Sequence, residues 1–185
     1  MRQDLALDGQ GTSPEPRTVR IERLLPGPSE RLWDYLVLSE KRRLWLAAGE
    51  MEPWVGGDLT LIFRHDELSD ETTPEARAGS GEMAPMHGRV TEWDPPRLLA
   101  YTWPGDSGMS EVTFELFPEG GDVLLVLTHR HLADDGTMIM VASGWDTHLG
   151  VLIDRLEGRD PRGFWSTFAR LRAVYSERFS DGGRQ

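Results

Sequence analysis

From Thr18 to Leu25 apolar and polar positions alternate, with Val19, Ile21 and Arg23 on one parity, and this predicts a first strand. The stretch PGPSE breaks it. Ser29 is then placed to cap a helix carrying Leu32, Trp33, Leu36 and Val37, and Ser39 to cap a second short helix with Leu44, Leu46 and Ala47. VGGDLTLIFRH reads as a glycine-opened strand from about Asp58 to His65. Between Asp66 and Pro85 the hydrophobic pattern lapses into acidic residues (Asp66, Glu67, Asp70, Glu71, Glu75) followed by Gly, Ser and Pro. That composition predicts a mobile acidic loop between two strands, with an acidic docking site as the competing reading. MHGRVTEW and RLLAYTW, joined through Asp94-Pro95-Pro96, and SEVTFELF and DVLLVLTHRHL, joined through Pro118–Gly121, then follow in antiparallel hairpin order.

A helical period covers about Thr137 to Glu157, with Trp145, Leu149, Leu152 and Leu156 on one stripe and His148 beside it. Asp160-Pro161 offers a cap and a first-turn proline for a last helix, whose stripe is Phe164, Phe168, Leu171, Tyr175 and Phe179. Strands and helices are segregated, so the fold class is α+β. The expected architecture is a curved antiparallel sheet wrapped around a long C-terminal helix, with two short helices after the first strand and an extra terminal helix. Residues 17–180 form one domain, preceded by a polar, Gly- and Pro-rich segment, 1–16, that is expected to be disordered. A curved sheet covered by one helix leaves room for a cavity. Two interior glycines in that helix each cost roughly 1 kcal/mol relative to alanine. Gly144 is expected where the helix crosses the sheet or pocket mouth, with no room for a side chain. Gly150, about 120° further round, is expected to be exposed or to face the tail helix.

Charge narrows the partners. With 20 basic and 31 acidic residues the chain carries a net charge of −11, which disfavours nucleic acid and anionic membranes. The one basic cluster, Lys41-Arg42-Arg43, reads as a solvated helix face. The absence of cysteine excludes disulfides, thiolate catalysis and cysteine–zinc sites. No apolar run reaches about 18 residues and the N-terminus lacks a signal-peptide core, so a cytoplasmic location is expected. No nucleophile elbow, phosphate loop, HExxH or dinucleotide fingerprint occurs.

VGGDL (55–59), HGRVTEWDPPRLLAYTW (87–103), EVTFELFPEGGDVLLVLTH (111–129) and GWDTHLGVLIDRLEG (144–158) together resemble the START-related helix-grip (SRPBCC) superfamily. They are most similar to its branch named after the activator of heat-shock-protein-90 ATPase. FWSTFARLRAVYSERF resembles the tails of bacterial members, so the likeness covers roughly residues 17 to 179. It implies the helix-grip fold and a cavity that takes small apolar ligands. A few related proteins perform cyclase or aromatase chemistry. The long segment 66–85 departs from the branch pattern.

On the strand VLLVLTHRH the period of two puts Leu125, Leu127 and His129 on one face, joined by His131 if the strand persists. The family pattern makes that face inward. His129-x-His131 with His65 or His87 could form a metal site, but no carboxylate stands at a recognisable spacing, so neither metal nor cofactor is expected. Trp145 and His148, three apart, share a side of the helix. Tyr101 with Trp103, or Leu98, Ala100 and Thr102, could face inward; the resemblance favours an aromatic at Trp103. The preferred reading is a protein without assigned catalysis that binds a small apolar or aromatic molecule. Its cavity is expected to be lined by Trp45, Trp54, Phe63, Trp103, Phe114, Leu127, Trp145 and Leu152, with His129 or His148 orienting a polar group. A second reading makes His129 or His148 the acid/base of a cyclase- or aromatase-like enzyme. A third is a chaperone-associated protein-binding module. The tail stripe packs on the body or forms a homodimer contact.

Overall fold

The structure, a computed structural model, describes residues 10–74, 83–105 and 108–181. Its element order is β1 (Val19–Pro26), α1 (Ser29–Val37), α2 (Ser39–Arg42), β2 (Asp58–Leu61), β3 (Met86–Asp94), β4 (Leu98–Gly105), β5 (Gly108–Glu119), β6 (Asp122–Arg130), α3 (Asp135–Leu156) and α4 (Phe164–Asp181). The six strands form one antiparallel sheet in the order β1-β6-β5-β4-β3-β2. This is the α+β helix-grip arrangement.

The registers align inward residues into rows across the sheet. Val19, His129, Val112, Tyr101 and Val90 are successive cross-strand partners, and all are buried. Ile21, Leu127, Phe114 and Leu99 form the next row, also buried. The period of two on β6 therefore continues across four neighbours, and one face of the sheet becomes a contiguous apolar floor. The 22-residue helix α3 lies over it with Trp145, Leu149, Leu152 and Leu156 buried. Its cap is Asp134, whose carboxylate accepts from Thr137 N at 2.7 Å. The buried Ser143 and Thr147 hydroxyls donate to the carbonyls of Ile139 and Ser143, so they need no partner outside the helix.

Several local expectations differ. Neither serine is a cap: Pro28 and Leu38 occupy the two N-cap positions. The Ser29 hydroxyl is buried without a partner among the described residues. The Ser39 hydroxyl instead accepts from Gly49 N. The β2 strand ends at Leu61, because Ile62 turns to bridge with Ala48 and His65–Glu67 closes a single 3-10 turn. Helix α4 starts at Phe164 rather than at Asp160-Pro161. Its first amides are met from another loop, where the Glu71 carboxylate accepts from Ser166 N and so places negative charge at the positive end of the helix.

The acidic segment is accordingly more than a mobile loop. Glu67 pairs with Arg43 and Arg64, Asp66 accepts from Thr73, and Glu71 anchors α4. Residues 75–82, with Glu75, lie outside the described residues, as do 1–9 of the lead-in. Within the rest of the lead-in, Gly11 is buried and Thr12 bridges Arg20, while residues 13–16 are exposed. Arg42 corrects the reading of the basic cluster. It is 1% exposed, and its guanidinium donates to the carbonyls of Leu36, Val37, Ala47 and Gly49. Two of these end α1, where carbonyls lack intrahelical partners. Burial lowers the Arg42 pKa from its usual value. Lys41 and Arg43 stay at the surface on Asp34 and Glu67.

A polar junction ties the chain ends to α3. Asp146 accepts from Arg23 of β1 at 2.5 Å and from the Tyr175 hydroxyl of α4 at 2.9 Å, and that hydroxyl accepts from Gly11 N. Arg23 can therefore occupy an inward parity. The tail stripe packs on the body, with Phe164, Phe168, Leu171 and Tyr175 buried and Phe179 partly buried. Asp154, at the end of α3, accepts from Arg162 N, Nε and Nη2 and from Arg159. Burial alone would raise its carboxyl pKa, but these donors hold it well below the usual carboxylate range.

Gly144 lies at the cavity and Gly150 on the side of the tail helix, as expected, but the space at each is the reverse of that expected. A Cβ on Gly144 would meet nothing within 4 Å, whereas one on Gly150 would lie 3.1 Å from Cδ and Nε of Arg162. Gly150 faces the α3–α4 connection and is buried there. Because Asp154 pins Arg162, that side chain cannot simply swing away. Gly144→Ala should stabilise by up to about 1 kcal/mol through helix propensity. Gly150→Ala should destabilise by about 1 kcal/mol, overpacking outweighing the same gain. Urea unfolding of both variants checks this; equal stabilisation would show that Arg162 is free to move.

Candidate functional site

Between α3 and the β3–β4 end of the sheet lies a cavity of about 680 Å³. The inward parity of β4 supplies Trp103, that of β6 supplies His129, and α3 supplies Met140, Val141, Gly144, Trp145 and His148. Leu46, Phe63 and His65 close one side, and Met83–His87 and Pro104 form the rim. The rings interlock. Trp103 meets Trp145 edge-on at 5.2 Å, Phe63 lies 5.8 Å from Trp103, and His65 stacks on Phe164 of α4 at 4.7 Å. No Lys, Arg, Asp or Glu lines the cavity among the described residues.

The hydrogen bonds fix the state of both buried histidines. Trp145 Nε1 donates to His129 Nδ1 at 3.0 Å, and an indole N–H can only donate, so Nδ1 carries the lone pair. The proton is then on Nε2, which donates to Ser110 Oγ at 2.8 Å, and Ser110 donates onward to the Trp103 carbonyl at 3.0 Å. The Ser110–His129 contact looks like a nucleophile–base pair but runs in the reverse direction. The serine receives a proton donor, and the imidazole has no lone pair to offer it. His148 has the opposite tautomer. The Trp45 carbonyl, 2.7 Å from its Nδ1, can only accept, so Nδ1 holds the proton and Nε2 the lone pair. That Nε2 has no protein partner among the described residues. Burial lowers the pKa of both imidazoles from 6.5 to about 3; for His148 the neighbouring His65 adds to this and the Trp45 carbonyl opposes it.

Of the expected lining residues, the structure brings Phe63, Trp103, His129, Trp145 and His148 together around the cavity. The others lie elsewhere. Phe114, Leu127 and Leu152 are fully buried in the floor and under α3, Phe114 edge-on beneath Trp145 at 5.6 Å. Trp45 is buried behind His148, its Nε1 donating to the Tyr35 carbonyl. Trp54 sits in the turn before β2 and is 52% exposed, because the turn carries it off the sheet face. On β4, Tyr101 and Trp103 take the inward parity, but Tyr101 lies below the cavity. His131 falls past the end of β6 with a positive φ of 64° and is exposed, so His129 and His131 do not converge. No group of three His, Cys, Asp or Glu capable of holding a metal occurs among the described residues. Sequence reasoning missed His65, Leu46, Met140, Val141 and the Met83–His87 rim as lining residues. His65 ends an apolar strand pattern and Met140 and Val141 lie one turn before Trp145, which were usable signals; the rim follows a stretch with no periodicity.

Solved structures carry the same fold. A protein encoded by gene BPP1335 of Bordetella parapertussis is 42% identical, with a TM-score of 0.80 over 92% of this chain and 91% of that one. CalU16 of Micromonospora echinospora is 18% identical, with a TM-score of 0.65 over 89% of this chain and 86% of that one. DynU16, a protein of the dynemicin biosynthetic locus, is 16% identical, with a TM-score of 0.63 over 81% of this chain and 51% of that one. No curated protein matches. The family model described as Activator of Hsp90 ATPase homolog 1-like protein matches residues 26–157, a span from the end of β1 to the end of α3 that holds almost the whole sheet and all of the cavity except its bracing from α4. The chain belongs to that family, within the START-related helix-grip superfamily.

Proposed function

We propose that the protein binds a small apolar or aromatic molecule in the cavity between the sheet and α3. The observation that carries this reading is the cavity itself. It has about 680 Å³ of space walled by aromatic, methionine and histidine side chains, without a charged residue among those described. Ligand sites of this size are mostly apolar with a few placed polar groups. DynU16, which shares this fold, is a protein of a biosynthetic locus.

The histidines favour binding over turnover. A general base works best with a pKa near the operating pH, and both imidazoles lie several units below it. His129 has both nitrogens engaged, so among the two only His148 could touch a reacting group. Chaperone association, which the family description suggests, has weaker support. Glu67 and Glu71 of the acidic segment are engaged within the fold rather than set out for a partner.

Two measurements test this reading. A thermal-shift screen with flat aromatic and fatty probes should find a saturable ligand, and at 100 times its dissociation constant the stabilisation should be about 2.7 kcal/mol. Gly144→Leu, whose side chain would project into the cavity, should fold and abolish that shift; an unchanged shift would move binding elsewhere. The buried histidines also set a pH dependence. Their folded pKa is depressed, so the unfolded chain binds the extra protons and stability rises with pH. The full stability is present above about pH 6.5 and is lost as pH falls towards 3, by about 2 kcal/mol per histidine at pH 5. Urea unfolding at pH 7.5 and pH 5 reads this loss, and a flat profile would show that neither imidazole is held neutral.

A further inference from the structure

A buried acceptor in the cavity wall limits the ligand further. His148 is 6% exposed, lines the cavity, and spends its Nδ1 proton on the Trp45 carbonyl. A carbonyl cannot donate, so the ring cannot turn over to present an N–H to the cavity without losing that 2.7 Å bond. Nε2 therefore offers only a lone pair. The other deep polar group, His129, is closed off, with Trp145 on one nitrogen and Ser110 on the other. Burial keeps His148 uncharged at neutral pH, so protonation does not convert Nε2 into a donor there. The aromatic wall of Phe63, Trp103 and Trp145 adjoins this ring, with Phe63 centred 6.3 Å from it.

Resting on the cavity-binding reading, the geometry points to a neutral, planar aromatic ligand that donates a hydrogen bond, from a phenol-type hydroxyl or ring N–H, to His148 Nε2. A ligand with only a carbonyl or ether oxygen at that point would set lone pair against lone pair. An unsubstituted aromatic would bury Nε2 unpaired, which selects strongly against ligands lacking the partner group. Met83 and Met140, partly exposed at the rim, can adapt to the outline of the ring system, so shape is set loosely while the donor is set tightly.

The test compares 2-naphthol with 2-methylnaphthalene, which has nearly the same shape but no donor, by titrating the full-length protein at pH 7 and following tryptophan fluorescence. Burial alone favours the methyl compound, so tighter binding of the naphthol can come only from a hydrogen bond. We expect the naphthol to bind at least tenfold more tightly, and His148→Phe to erase the preference while methylnaphthalene still binds. Should that variant not fold, the His148 Nε2 nitrogen resonance of the unsubstituted protein serves instead. It should shift with naphthol and not with methylnaphthalene, and an unmoved resonance would overturn the assignment. Equal affinity for the two probes, or a preference that survives in His148→Phe, would overturn the donor requirement and leave the cavity reading standing. Saturable binding of neither probe would remove the cavity reading and this inference with it.

Discussion

The hydrogen bond from the Trp145 indole to His129 Nδ1 is the constraint on which the rest of the site depends. It joins the middle of α3 to the inward face of β6. Both groups are buried, so an unpaired indole N–H or imidazole nitrogen would cost about 1–3 kcal/mol. That penalty fixes the position of the helix over the sheet more sharply than apolar contact can, because hydrophobic burial has no direction. It also fixes the tautomer of His129 and with it the direction of every later bond, through Ser110 to the Trp103 carbonyl. The strand that carries Trp103 is thus held in register with the helix that carries Trp145, and their edge-on rings form a wall rather than a filled core.

A cavity persists here because the surrounding atoms are engaged in other directions. Below Trp145 the floor is closed by Phe114, Leu127 and Leu99, which alternate on their strands and meet through the sheet register. Beside it, Gly144 presents no side chain to fill the space. His148 is drawn away towards the Trp45 carbonyl, and His65 stacks on Phe164. Each of these groups could collapse inwards only by giving up a hydrogen bond or a ring contact, and so the packing rule that closes most protein interiors does not close this one.

The fold was legible because it rests on periodicity. The alternation around His129 and the spacing of Trp145, Leu149, Leu152 and Leu156 state which faces are buried, and the structure places those faces inward. The site was legible where it shares those faces, at Trp103, His129, Trp145 and His148. It was not legible where position depends on a turn. Trp54 has the composition of a pocket residue, but the turn before β2 exposes it, and no pattern in the sequence records the direction of that turn. Arg42 shows the converse. A basic triplet reads as solvated, whereas the carbonyls orphaned at the end of α1 need a donor inside, and three-dimensional closure brings the guanidinium to them. The glycines were legible in place but not in space: helical angle puts Gly144 at the cavity and Gly150 towards the tail helix, but which side is open depends on the reach of Arg162, anchored by Asp154.

The part of the chain outside the family match also shapes the site. The match ends at residue 157, yet α4 supplies Phe164, which stacks on His65 and lies 5.0 Å from His148. Helix α4 is in turn held by the Glu71 carboxylate at its first turn and by Tyr175 on Asp146. A wall of the cavity is therefore braced from a helix that lies outside the matched residues. In this chain the backing is aromatic and fixed through polar contacts, and beside it the His65 and His148 rings lie 5.4 Å apart. The ring behind His65 is set by the tail, while the Trp103–Trp145 wall is set by the sheet and α3, so two sides of the cavity have separate structural origins.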